Sequence, residues 1–152
     1  MNGLTNHDLE NFCKKILGNS FLGVYPSDAQ PLTFKKRDNV SVIFNLSPHN
    51  ETGSHFVAVF KKNKKIFYFD SFGKILKNKH LLKFLKPLTL TLYCNMKSIQ
   101  SKKSNFCGLF CLAFLIVCQK NKKTISQFQK MFTENLKKKN DAKVLNIILS
   151  NC

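Results

Sequence analysis

Acidic side chains are scarce in this chain: 8 Asp and Glu stand against 25 Lys and Arg, which leaves a formal net charge of +17. Arginine is scarcer still, with Arg37 the sole example, so the excess is lysine. An AT-rich genome would supply abundant Lys, Asn, Ile and Phe without selection, but it does not account for so few acids. A surface this positive attracts nucleic acid or acidic proteins through a salt-sensitive field, and the field alone specifies no partner.

Long apolar runs are also missing. The longest, residues 109–118, is about half of the roughly 20 residues that a bilayer crossing needs, so it reads as a buried helix and membrane partners are not expected. The opening residues, MNGLTNHDLENFCKKILG, have no basic segment leading into an apolar one, which speaks against a secretory signal. Without secretion the six cysteines are expected to be reduced, and the sequons at Asn45 and Asn50 carry no weight. No Cys-x-x-Cys pair exists among them. A structural zinc site is therefore not expected, although Cys107 and Cys111 are spaced to share one helix face.

With 152 residues the chain is expected to form one domain, residues 1–152, around one core. Thr5 with Asp8 predicts an N-cap, and Leu9, Phe12, Cys13, Ile16 and Leu17 keep a helical stripe until Gly18 ends it. Residues 21–37, broken by Pro26 and Pro31, read as loop. Strands are predicted at 40–46, 55–60 and 66–70, the last two joined by a lysine-rich turn at 61–65. A helix over 75–86, ended by Pro87, and an alternating strand over 88–93 follow. The central helix begins near Cys107. Thr124 with Gln127 forms a capping box for another helix, and Asp141 precedes a last one. The pattern is α+β: a mixed or antiparallel sheet packed against helices.

The stretch SIQSKKSNFCGLFCLAFLIVC, 98–118, passes from a polar loop into the apolar run at a cysteine. A thiol in the first turn of a helix lies beside unsatisfied backbone N–H groups and the positive end of the helix dipole, which favours its thiolate. A cysteine nucleophile also needs an imidazole to hold a proton and an acceptor to orient that imidazole. A hairpin of strands 55–60 and 66–70 places His55, at the start of one, beside Asp70, at the end of the other. The chemistry these residues allow has His55 as base and later acid, Asp70 orienting it, and Cys107 attacking a carbonyl carbon. The Gln100 amide, seven residues before Cys107, is placed to meet the developing oxyanion with the Cys107 backbone N–H as partner. Each residue alone also has an ordinary reading. Cys107 fits a buried small hydrophobe, His55 and Asp70 fit strand ends, and Gln100 fits a polar loop. Cys111 and Cys118 read as core, His7 and His80 as exposed helix residues, and His49 as a loop residue.

The local text is more specific than the spacing. FLGVY at 21–25, ETGSH at 51–55, FYFDSFG at 67–73, and Gln100 ahead of CGLFC at 107–111 resemble, in order, segments of the adenovirus endopeptidase family, the adenains. The resemblance runs over about two thirds of the chain, 21–118. It implies an α+β cysteine protease fold with the nucleophile at the N-terminus of a buried central helix. His55 and Cys107 would be the catalytic pair, Gln100 would line the oxyanion hole, and Asp70 would occupy a position where the adenovirus enzymes carry glutamate and the wider clan commonly carries aspartate. It also implies a viral enzyme that cleaves virion precursor proteins after glycine in short motifs. Such an enzyme acts in the virion and the host cell nucleus, needs no cofactor for the chemistry and uses DNA as activator.

Three departures qualify the family pattern. Phe56 follows His55 where tryptophan is usual, in a chain with no tryptophan at all. The cysteine through which adenovirus members bond a peptide activator aligns with Thr89, and Cys94 takes that part only in a shifted register. The chain is also short after Cys107, so a reduced outer C-terminal layer is expected. A monomer is expected, although no residue pattern fixes the oligomeric state. The competing readings are a deconjugating protease for a ubiquitin-like modifier, a non-catalytic basic DNA-binding virion protein in which Cys107 is core, and an acyltransferase with the same triad.

Overall fold

The computed structural model describes residues 5–46, 55–88 and 91–152. The ETGS stretch before His55, together with His49 and Thr89, lies outside them. The Thr5 hydroxyl accepts the Asp8 N–H at 3.1 Å and opens helix α1, Asn6–Leu17, which buries Leu9, Cys13 and Ile16 and stops at Gly18. Strands β1 (Phe21–Pro26), β2 (Val40–Asn45), β3 (Phe56–Lys62), β4 (Lys65–Phe69) and β5 (Thr91–Cys94) form one sheet in that order. The two inner pairings are antiparallel and the two outer ones parallel, so the sheet is mixed.

Alternation along the strands separates two apolar layers. Ile43, Phe56, Ala58, Phe60 and Phe69 face α1 and the central helix α4, Cys107–Phe114. Val42, Phe44, Val57, Val59, Ile66 and Tyr68 face the short helices α2, Thr33–Lys36, and α3, Lys79–Leu85. Helix α4 is buried almost all round and continues as a π-helical segment, Leu115–Lys120. Helices α5, Ile125–Gln129, and α6, Asn140–Leu149, complete the layer. The capping box of α5 is present, with Thr124 and Gln127 bonded reciprocally. Among the described residues no helix is long and apolar enough to cross a membrane.

Several elements depart from the sequence expectation. Residues 21–37 hold β1 and α2 rather than loop. The register shifts between Phe21 and Val24, which erases the period-2 signal, and Pro26 is tolerated because β1 is an edge strand. Gly23, at φ +141°, lets Glu10 of α1 approach the strand, where its Oε1 accepts the Val24 N–H at 2.9 Å. Helix α3 starts at Lys79, not at 75, because the Asn78 side chain caps it by accepting the Leu81 N–H. Pro87 sits inside a closing 3₁₀ turn, Lys86–Leu88. The strand expected over 88–93 is β5, beginning at Thr91. Phe56, where the family usually has tryptophan, is 4% exposed and packs in the core.

Candidate active site

Two turns and one helix end meet beyond the ends of β3 and β4. His55 directly precedes β3, and its carbonyl accepts the Leu46 N–H at 2.9 Å, which ties it to the end of β2. Asp70 directly follows β4. It is 2% exposed, and its Oδ1 accepts from His55 Nε2 at 2.8 Å and from the Phe72 N–H at 2.8 Å. The backbone of Asp70 is held by Asn95, whose Oδ1 accepts its N–H at 2.9 Å and whose Nδ2 donates to its carbonyl at 2.6 Å. The carboxylate is therefore fixed by its own turn and by the chain after β5.

The turn closes with the Gly73 N–H donating to the Asp70 carbonyl at 2.8 Å. Gly73 has φ +70°, and a Cβ there would stand 2.7 Å from the backbone of Lys97 and Ser98. Only glycine lets the loop carrying Asp70 lie against the loop carrying Gln100. The Ser71 carbonyl accepts the N–H groups of Ile99 and Gln100 at 2.9 and 3.1 Å, and the Ser71 hydroxyl donates to Gln100 Oε1. Gln100, 1% exposed, donates through Nε2 to the Ser104 carbonyl at 2.9 Å. An amide nitrogen has two hydrogens, so this bond uses one of them.

Cys107 is the first residue of α4 and is 8% exposed. Phe106, at the N-cap, gives the helix no side-chain cap, which leaves backbone N–H groups of the first turn to point at whatever approaches the thiol. The imidazole of His55 is hydrogen-bonded to both Asp70 and Cys107. Burial opposes its charged form, but those two bonds and the negative charge of both partners prevail and raise its pKa to about 9. The imidazolium is thus the resting form at neutral pH. With Nε2 engaged by Asp70, Nδ1 is the nitrogen left to face the sulfur. The Phe72 ring covers the imidazole, with centroids 5.0 Å apart.

The other cysteines are different. Burial pushes up the thiols of Cys13 and Cys111, raises Cys118 to about 12, and raises Cys94. Cys94 ends β5 and packs with the opposite apolar layer, away from Cys107. His7 and His80 are exposed on α1 and α3. The structure thus brings His55, Asp70, Gln100 and Cys107 together and leaves Cys94 apart.

Four supporting residues escaped the sequence reading. Ser71 and Phe72 lie inside the FYFDSFG block, which hid them as context. Asn95 gave no signal. Asn140 is fully buried, donates to the Ile99 carbonyl at 2.8 Å and to the Thr133 carbonyl at 2.7 Å, and so fastens the Gln100 loop to α6. Its neighbour Asp141 accepts from the Ser104 hydroxyl at 2.9 Å.

The arrangement has what acyl transfer through a thiol requires: a sulfur bonded to an oriented imidazolium, next to an amide and an uncapped helix end that can donate to an oxyanion. No protein-family model matches the chain. It is similar to the protein named Protease of Ovine adenovirus D serotype 7 (isolate OAV287), 28% identical over 134 residues that cover 76% of this chain and 65% of that protein. Two crystal structures of an ASFV protease share its fold. One has a TM-score of 0.59 at 15% identity and the other 0.55 at 17%, each covering 90% of this chain and 65% or 64% of the other. ChlaDub1 from Chlamydia trachomatis follows with a TM-score of 0.50 at 14% identity over 72% of this chain and 62% of that one. The fold is that of these solved structures, and the chain spans a little under two thirds of the length of each of these relatives.

Proposed function

We propose that the chain is a viral cysteine endopeptidase with Cys107 as nucleophile, His55 as acid and base, Asp70 orienting His55, and Gln100 as an oxyanion donor. The observation that carries this reading is the single imidazole bonded to both Asp70 and Cys107 at the first turn of α4. The likeness to the ovine adenovirus protease supports a viral protease, and viral precursor proteins as substrates follow from the resemblance to the adenains.

In the reaction the Cys107 thiolate attacks the carbonyl carbon of the scissile peptide bond. The oxyanion accepts from Gln100 Nε2 and the Cys107 backbone N–H. As the tetrahedral species collapses, the C–N bond breaks and the His55 imidazolium gives its proton to the departing amine, leaving a thioester. Water then attacks the thioester while His55, now neutral, takes one of its protons. The C–S bond breaks, the acid product leaves, and the thiolate and imidazolium are restored. No cofactor enters the chemistry.

Cleavage after glycine rests on the resemblance of the sequence blocks to the adenain family. Stimulation by DNA rests on that resemblance and on the net charge of +17. The test is to incubate the chain with glycine-containing peptides and viral precursor proteins, with and without duplex DNA, and to read the products by mass spectrometry. Wild type should produce new C-termini at glycine and Cys107→Ala none. Transfer of an acyl group to an acceptor lysine or serine without chain cleavage would assign an acyltransferase instead. DNA binding with no cleavage of any substrate, unaltered by Cys107→Ala, would assign a packaging protein.

A deconjugase for a ubiquitin-like modifier is the second reading, favoured by the fold shared with ChlaDub1. It requires a folded modifier as substrate, so efficient cleavage of a short free peptide decides against it.

A further inference from the structure

A cleft of about 820 Å³ opens beside the candidate active site, with Gln100 and Phe72 among its lining residues. It adjoins the site through these two shared residues, since Phe72 covers the His55 ring and Gln100 is the proposed oxyanion donor, while His55 and Cys107 do not line it. Lys74, Lys102, Lys103, Lys137 and Lys138 line it. All are exposed except Lys137, which is half-buried, and among the described residues none of the five is paired with a carboxylate. The one acid in the lining, Glu134, is bonded to Lys97 at 3.1 Å, which offsets its charge. Five uncompensated cations around one concavity next to a reacting centre form a local field beyond the general excess of lysine.

We propose that this cleft is a substrate subsite that selects aspartate or glutamate side chains close to the scissile bond. The occupant is an acidic polypeptide segment and not a polynucleotide. The cleft has apolar surface in Phe72 and in Leu136, which is 49% exposed, suited to a peptide with carboxylates spaced among apolar residues. A nucleic-acid strand would find a single aromatic ring there, Phe72, already in contact with His55 on one side. That is too little for the successive base stacking that single-strand sites use, and the strand would lie across the mouth of the site it is meant to leave open. The proposal rests on the peptidase reading only for the word substrate. The binding itself is independent of cleavage.

The experiment therefore uses the full chain carrying Cys107→Ala, which binds without cutting. A fluorescein-labelled peptide containing four glutamates is titrated by anisotropy at low and at physiological salt, beside the same peptide with glutamines and beside a labelled dT20 oligonucleotide. The cleft variant carries Lys102→Ser, Lys103→Ser, Lys137→Ser and Lys138→Ser. The control removes equal charge from exposed lysines around α3, with Lys77→Ser, Lys79→Ser, Lys83→Ser and Lys86→Ser. The glutamate peptide should bind at least tenfold tighter than the glutamine peptide. The cleft variant should lose at least tenfold of that affinity and the control less than threefold. Equal losses in both variants would make the effect a diffuse field and overturn the proposal. A loss of dT20 affinity in the cleft variant as large as or larger than its loss for the glutamate peptide would make the cleft a nucleic-acid site and overturn it as well. If the fourfold cleft variant does not melt cooperatively, Lys102→Ser with Lys103→Ser alone gives the same reading with a smaller loss, of at least threefold, against a control with Lys77→Ser and Lys79→Ser.

Discussion

The Ser71 hydroxyl donates to Oε1 of Gln100, and that bond fixes which end of the Gln100 amide is the acceptor and leaves Nε2, which donates to the Ser104 carbonyl, as the donor end. Ser71 is the residue after Asp70, so the loop that orients the imidazole also orients the oxyanion donor. The two sides of the proposed chemistry share one turn.

Ser71→Ala should therefore lower kcat by about tenfold with KM little changed, because the amide is freed to flip while substrate contacts remain. Gln100→Ala removes the donor and should cost on the order of 10²-fold in kcat. Combining the two should be no worse than Gln100→Ala alone, since Ser71 acts through Gln100. Steady-state kinetics on one cleaved peptide check all three. An additive double variant would separate Ser71 from the oxyanion.

The pH dependence follows from His55. Its folded pKa, about 9, lies above its ordinary value of 6.5, so the imidazolium is lost only as pH rises through about 9. The rate of acylation should fall along that alkaline limb. In Asp70→Asn the hydrogen bond to a charged partner is gone, and the limb should move down toward neutral pH. The same shift is linked to stability. The contribution is fully present below pH 6.5 and fades as pH rises toward 9, so the urea midpoint should decline between pH 6.5 and 8.5. The loss should be on the order of 1–2 kcal/mol. The buried thiols of Cys13, Cys111 and Cys118 act in the same direction but only above the ordinary thiol pKa of about 8.5. Asp70→Asn should flatten the decline below that pH.

The hairpin made His55 and Asp70 legible in the sequence, because a short turn brings strand ends together whatever the rest of the chain does. Cys107 was legible as the boundary between a polar loop and an apolar helix. The residues that hold them were not. Asn95 reaches Asp70 across 25 positions and Asn140 reaches Ile99 across 41, and no local pattern announces a buried amide with such a distant partner. Strand β1 was hidden for a different reason. Its irregular register and Pro26 remove the alternation that marks a strand, and its edge bond to Glu10 is set by helix packing.

Asn140 gives a prediction about stability rather than chemistry. Its side chain accepts from the Thr133 N–H at 3.0 Å and donates to two carbonyls while fully buried. Asn140→Ala leaves those backbone groups unsatisfied and should lower stability by about 1–3 kcal/mol, read from urea unfolding. The Gln100 loop then loses its tie to α6. Asn140→Asp keeps the acceptor but not the donors and should recover only part of the loss. A neutral Asn140→Ala would mean that water replaces all three bonds.

Cys107 supplies the comparison that needs no substrate. Thiol alkylation requires the thiolate and access to the sulfur, and burial withholds both from Cys111, which is fully enclosed in α4 one turn further on. The imidazolium of His55 stands next to Cys107 and stays charged to about pH 9, which sets a positive charge and a proton donor beside this sulfur alone among those compared. Chloroacetamide at pH 6, followed by peptide mass spectrometry, should label Cys107 at least tenfold faster than Cys111, Cys118 or Cys13. His55→Ala should abolish that advantage, and the rate at Cys107 should then rise with pH as an ordinary thiol does. Asp70→Asn should retain part of the advantage at pH 6, where even an unassisted imidazole is largely protonated, and lose it by pH 8. Equal labelling of Cys107 in wild type and His55→Ala at every pH would mean that the imidazole does not govern the sulfur, and the thiol at the start of α4 would be a core residue that happens to face a histidine.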